Sequence, residues 1–307
     1  MIVHFGRDVV EAYMGHVQDN AEENVRRLIG NLKDCSFRVE MDQGTHVQVE
    51  IRVDRANRSA VVDFTGTSDA QANNFNAPAP VTRAATLYVF RCMVADNIPM
   101  NAGCMKPIEL IIPDGSMLAP QYPSAVVAGN VETSQIVTNC LFGALGSLGC
   151  SQGTMNNLTF GNAKYQYYET ICSGAPSGPD FDGTSGVHTH MTNTRLTDPE
   201  ILELRYPVVL EEFSIRRGSG GKGRHRAGDG TRRRIRFLEE MDCAVLSSAR
   251  KIPPFGVDGG LEGECGENRV RRHDGTWETL DGCDQTVLTA GEAVEIKTPT
   301  GGGFGPA

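Results

Sequence analysis

Hydrophobic residues near the start of the chain recur at steps of three and four: Val10, Tyr13, Met14, Val17, Ala21, Val25 and Leu28. That spacing predicts one amphipathic helix of about 20 residues. Asp8 and Glu11 read as its capping box and Gly30 as its stop. After the polar turn at Asp42, Gln43 and Gly44, the residues Val47, Val49, Ile51 and Val53 alternate strictly with polar ones. A half-buried strand does this, and Ala60 to Phe64 reads as its hairpin partner. Thr82 to Val94 is apolar nearly all round, which predicts a buried helix closed by Asp96, Asn97 and Pro99. Ile108 to Ile112 and Ala125 to Ala128 read as short strands, and Gly129-Asn130 opens a helix reaching about Leu148.

Beyond residue 150 the periodicity breaks up. Gly, Asn and Thr punctuate short β-like segments, and only Asp198 to Leu204 looks helical. Ile235, Phe237, Val245, Val287 and Val294 mark strands in the last third. The expected fold is mixed α/β (α+β), with helices and hairpin strands in the N-terminal half and a β-rich, glycine-punctuated C-terminal third. The chain reads as one unit over 1–307, with a soft sub-boundary near 205–215.

Composition narrows the functional classes. The 39% hydrophobic and 22% charged residues describe a globular chain. No apolar run reaches transmembrane length, and no signal peptide opens the sequence, so a cytoplasmic, membrane-free protein is expected. The nine cysteines are odd in number, widely spaced and without a C-x-x-C, which predicts free thiols. A net charge of −9 argues against nucleic acid. The charge is uneven: residues 216–236 hold nine of the 29 Lys and Arg against one acid, Asp229. These arginines could dock an acidic partner, hold an anionic substrate, or line the wet face of a strand.

Candidate chemistry concentrates between residues 130 and 200. His188 and His190 stand two apart, so on a strand both rings would face one cavity, as metal ligands or proton carriers. Glu169, Asp182 and Asp198 offer carboxylates to such a set. Two histidines held in a Thr- and Asn-rich turn are the structural alternative. Glu132, in Asn130-Val-Glu-Thr-Ser-Gln135, falls at a helix start, where a depressed pKa would keep it ionised as base or ligand; simple capping is its alternative. Gly153-Thr-Met-Asn-Asn157 reads as a polar turn. The run Gly218-Ser-Gly-Gly-Lys-Gly223 fails as a phosphate loop. Arg216 stands where a glycine is required, and Gly223 where Ser or Thr is.

Several motifs occur in order along the chain: Gly6-Arg-Asp-Val-Val-Glu-Ala-Tyr-Met-Gly-His16, Asp63-Phe-Thr-Gly-Thr67, Ile98-Pro-Met-Asn-Ala-Gly-Cys104, Gly129-Asn-Val-Glu-Thr-Ser-Gln135, Tyr167-Tyr-Glu-Thr170 and His188-Thr-His-Met-Thr-Asn-Thr-Arg195. Together they resemble the hydantoinase B/oxoprolinase family over essentially the whole chain, and in particular the C-terminal part of an ATP-dependent 5-oxoprolinase. The resemblance implies hydrolysis of a small cyclic amide, 5-oxo-L-proline, to L-glutamate, coupled to ATP cleavage. It implies a hydantoinase A-like ATPase half as partner, which would bind the ATP, and a homo-oligomeric complete enzyme. A divalent metal of unspecified identity is also implied. The site residues suggested are His188, His190, Glu169, Glu132 and Asp198, with Arg195 contacting the substrate carboxylate. An N-methylhydantoinase or acetone-carboxylase-like subunit is the rival within the family, and a non-catalytic scaffold half the rival outside it. The chain departs from the family pattern at two places. Ser247-Ser-Ala-Arg250 replaces a Thr/Ser-Glu-Arg-Arg motif, and Pro176 stands in a glycine-rich stretch. The ATP-handling half and two early histidine segments of the family have no counterpart among these residues.

Overall fold

The computed structural model describes residues 1–307. Helix α1 (Ile2–Phe5) is short and separated from α2 (Arg7–Asn31) by Gly6, whose φ of 78° breaks the helical path. The expected capping box is not formed. Gly6 takes the cap position, and Glu11 pairs with Arg7 instead. Only the later half of α2 reaches the core, through Ala21, Asn24, Val25 and Ile29.

A first sheet, in the order β1 (Cys35–Glu40), β2 (His46–Asp54), β3 (Ser59–Asp63) and β4 (Ile108–Ile111), is antiparallel except for the parallel β3–β4 pair. Strand β1 carries no element in the sequence reading. Its alternation of Cys35, Phe37 and Val39 covers only three positions. Helix α3 (Ala79–Met93) forms the crossover and α4 (Ser134–Ala144) packs on it and on β1 and β2. All eleven residues of α4 are buried, so one face meets the aliphatic core while the other must bury Ser134, Thr138 and Asn139. Ala125–Ala128 is a turn and not a strand. Asn76 Nδ2 donates to the Ala125 carbonyl and the Ala128 amide donates to Asn74 O, leaving no partner strand.

The second body contains two further sheets. One has the order β12 (Cys283–Leu288), β9 (Met241–Leu246), β5 (Asn157–Gly161) and β6 (Gln166–Thr170). The other has the order β11 (Trp277–Leu280), β10 (Glu267–Arg271), β13 (Ala293–Lys297), β8 (Thr231–Phe237) and β7 (Val208–Ile215). Their facing residues, including Leu158, Phe160, Ile235, Phe237 and Val245, form a second core, while α5 (Pro199–Arg205) packs beside β7. The two hydrophobic cores divide between Ala144 and Leu158, ahead of the 205–215 region, where β7 pairs with β8 inside the second body. No helix is long and apolar enough to cross a membrane.

Four glycine-bearing segments, 173–178, 219–230, 254–263 and 300–305, pass through the second body side by side. They exchange backbone hydrogen bonds such as Gly221 N to Gly301 O, 2.9 Å, and Gly303 N to Leu261 O, 2.9 Å. Glycine is required by approach here: a Cβ on Gly302 would collide with the Phe255 carbonyl, and one on Gly174 with that of Gly228.

Candidate active site

The layer between the two cores is polar and almost inaccessible. A π-turn at Gly129–Thr133 leads into α4 and places Glu132 in this layer, fully buried. Such turns re-aim side chains and recur at functional sites. Glu132 Oε1 accepts three hydrogen bonds: from Thr154 Oγ1 at 2.9 Å, Met155 N at 3.0 Å and Asn157 Nδ2 at 2.7 Å. Its other oxygen, Oε2, has no partner. Burial pushes the carboxyl up to about 7, against the pull of those donors, the nearby Ser248 hydroxyl and the more distant Arg250. This reverses the expected depression. Desolvation of a fully buried carboxylate outweighs the helix terminus, which otherwise favours the anion.

The donors come from segments with specialised backbones. Asn156 sits at φ 48° and Ala249 at φ 57°, both left-handed. The loop after β9 is clamped by Asp42, whose carboxylate accepts the amides of Arg250, Lys251 and Ile252 at 2.7–3.1 Å. That clamp holds Arg250 so that its guanidinium reaches Asn156 and Asn268 at 2.9 and 2.8 Å. Burial lowers the Arg250 pKa to about 10, so it stays cationic at neutral pH. Ser248, 1% exposed, has no hydrogen-bond partner for its hydroxyl. It lines a cleft of about 180 Å³ together with Phe37, Arg38, Asp42, Pro253 and Phe255. Ser248 thus links the lining of this cleft to the buried Glu132 carboxyl behind it.

The other candidate residues are distributed as follows. Neither histidine lies in a strand: His188 is in irregular backbone and His190 begins a turn, with φ 52°. The segment is tied to α4 by Gln135, one turn beyond Glu132, which donates to Thr189 O at 3.3 Å and Thr192 Oγ1 at 2.7 Å. The His190 ring packs on Phe142 and Tyr88, with Nδ1 3.2 Å from the Tyr88 hydroxyl. Burial lowers its pKa to about 4 and lowers that of His188 as well, so both rings are neutral. Neither nitrogen of His188 has a partner. Glu169 is locked elsewhere, in a bidentate pair with Arg233 (2.7 and 2.9 Å), and it also accepts from the Tyr167 hydroxyl at 2.8 Å. Asp198 caps α5, accepting the amides of Glu200 and Ile201. Arg195 is exposed and Asp182 accepts the amide of Arg226. No three His, Cys, Asp or Glu side chains come together as a metal-ligating group, so the implied divalent metal does not fit the residues present.

The basic stretch is mostly spent internally. Arg232 and Arg234 pair with Glu212, Arg236 with Glu211, and Arg234 also with Glu295. The amides of Gly218 and Gly220 donate to Asp229, and that of Gly221 to Gly301, so this loop does not present a cradle for phosphate. Sequence reasoning misses Ser248, Arg250 and Asn157 as site residues. The one local signal was the density of amide side chains in Gln152 to Asn157, which a surface turn does not need.

The hydantoinase B/oxoprolinase family description matches residues 1–307. A 5-oxoprolinase of Dictyostelium discoideum is 44% identical over 314 residues, covering 99% of this chain and 25% of that protein. An uncharacterized protein of Methanocaldococcus jannaschii is 37% identical, with 97% of this chain and 54% of that one covered. The crystal structure of an ATP-dependent caprolactamase from Pseudomonas jessenii superposes with a TM-score of 0.82 at 24% identity, covering 99% of this chain and 57% of that one, and shows the same fold. The chain thus spans about a quarter of the length of the eukaryotic relative and about half of the archaeal one. On a match running from the first residue to the last, this chain belongs to the hydantoinase B/oxoprolinase family.

Proposed function

We propose that the chain supplies the hydrolytic part of an ATP-dependent 5-oxoprolinase, opening 5-oxo-L-proline to L-glutamate. A hydantoinase A-like half would handle the ATP. The supporting observation is Glu132: a buried carboxyl near pKa 7 with one unpartnered oxygen, close to Ser248, which lines a cleft. A group poised at neutral pH can both take and return a proton. Ring opening needs both actions, because attacking water loses a proton and the departing ring nitrogen gains one. The donors on Oε1 fix the carboxyl so that Oε2 is the atom on which the proton resides. ATP handling is assigned to the other half, since the Gly218–Gly223 amides are already bonded within the chain. No metal step is invoked. With nine free cysteines, we place the enzyme in a reducing, cytosolic compartment, as a homo-oligomer.

Arg38, ion-paired with Glu40 at 2.7 Å, is the basic side chain lining the cleft, and we assign to it the substrate-carboxylate contact that the sequence suggested for Arg195. In the reconstituted enzyme, Arg38→Met should raise KM roughly 10- to 100-fold, the scale of a lost charged hydrogen bond, with kcat little changed. The decisive test measures 5-oxoproline-dependent ADP release and glutamate formation with the ATPase half supplied. The chain alone should be silent in both assays. Glu132→Gln should lower turnover by about 100-fold or more with no loss of Tm. Wild-type turnover by a folded Glu132→Gln enzyme would move the active site elsewhere.

A further inference from the structure

The sequence pattern that builds α2 does more than bury its own core. Its stripe runs through Val10, Met14 and Val17 into Ala21, Val25 and Ile29, yet only the last three are buried. Contact with the rest of the chain begins near Gln18, where Gly103 approaches the Gln18 carbonyl closely and Asn101 donates to Val17 O at 3.5 Å. Ahead of that point Phe5 is 62% exposed, Tyr13 67% and Met14 61%. They line a groove of about 630 Å³ in the angle that Gly6 sets between α1 and α2. The only ion pair along this stretch, Arg7 with Glu11, is internal to the helix, so the groove itself is apolar and uncharged. A contiguous exposed patch of this kind marks an interface.

We propose that this groove seats the part of a hydantoinase B-type polypeptide that these 307 residues do not contain. Only 54% of the archaeal relative and 57% of the caprolactamase chain are matched here, so each carries further chain of a size comparable to this one. The exposed stripe is continuous with one that already packs a core, which is how a helix shared between two cores reads. The occupant is therefore an apolar element inserted into the groove. A second copy fits less well, because a two-fold interface sets the same concave surface against itself and leaves the groove unfilled. This proposal does not depend on the reaction assigned to Glu132.

The experiment co-expresses this chain with the unmatched portion of the Methanocaldococcus jannaschii relative and follows hydrogen exchange over residues 2–17. Amides of residues 7–17 should gain about 100-fold protection in the complex. The anilinonaphthalene sulfonate fluorescence of the chain alone should disappear. Tyr13→Glu combined with Met14→Glu should weaken the complex about 30-fold or more, while leaving the Tm of the chain alone unchanged. If the separate portion does not fold, joining it ahead of this chain allows the same exchange measurement. Unprotected residues 2–17 in either form would overturn the proposal. So would a homodimer of the chain alone whose Met14→Cys variant cross-links copy to copy.

Discussion

Glu132 and Glu169 are both buried carboxylates, a few per cent exposed at most, yet their surroundings differ. Glu169 shares two parallel bonds with Arg233 and a third with Tyr167, so both its oxygens are engaged by a fixed cation and a hydroxyl. Glu132 receives three neutral donors on one oxygen and none on the other, and no salt bridge reaches it. The first arrangement fixes a sheet pair, β6 against β8. The second keeps a proton-holding oxygen available. Burial alone does not distinguish the two; the distribution of donors across the carboxylate does.

The largest effect that would test this contrast is on stability at the Glu169 pair. Arg233→Met leaves an uncompensated buried carboxylate and should cost about 3–5 kcal/mol in urea unfolding. Replacing Glu169 as well, by Gln or Met, should recover much of that loss. A near-neutral single variant would mean that the pair is not structural.

Next comes the pH dependence at Glu132. Its folded pKa of about 7 lies above the ordinary carboxyl value of 4.5. The corresponding stability is fully present below about pH 4.5 and is lost as pH rises through 7, at up to about 1.4 kcal/mol per pH unit. Glu132→Gln removes that slope, so the variant should gain on the wild type between pH 5 and pH 8. Parallel denaturation midpoints at four pH values check this. Parallel curves for the two proteins would show that Glu132 is ionised throughout.

The smallest effect is expected at Asp198. As the cap of α5, its replacement by Ala should cost about 1 kcal/mol. Turnover of the reconstituted enzyme should be unaffected, which separates Asp198 from the carboxylates of the site. A selective loss of kcat would return it to the chemistry.

Much of the first body was legible in the sequence, because α2, β2, β3 and α3 each bury a face at a regular period. The site was legible only in part. Glu132 and the His188–His190 segment stood out as residue types, and the segment does lie against the helix that follows Glu132, through Gln135. The state of these groups did not follow from local reading. Glu132 has a raised pKa because two bodies close over it, and that closure depends on the long-range clamp of Asp42 on residues 250–252. Ser248 and Arg250 join the site through the same clamp and the left-handed Ala249; the sequence marks residues 247–250 only as a departure from a family motif, not as part of the site. Asp198 looked like a free carboxylate because the sequence shows its charge but not how its hydrogen bonds are spent. Ala125–Ala128 looked like a strand because β-propensity describes a residue's fit to a sheet and not whether a neighbouring strand exists.

The glycine-packed segments bear on the order in which the molecule can assemble. The Ser173 hydroxyl donates to Pro299 O, 126 residues along the chain, and the four segments hold one another mainly through backbone, with the Ser177 and Thr300 hydroxyls adding to it. They carry few large apolar side chains, Phe255 and Phe304 among them, and the bonds between segments require closing long loops first. During synthesis, residues 173–178, 219–230 and 254–263 can pair with one another but lack part of their backbone partners until residues 300–305 have left the ribosome. The first body, built from helix and hairpin contacts close in sequence, can form before then. Maturation of the second body is thus expected to be late, slow and cooperative, which makes this half the natural client of chaperones.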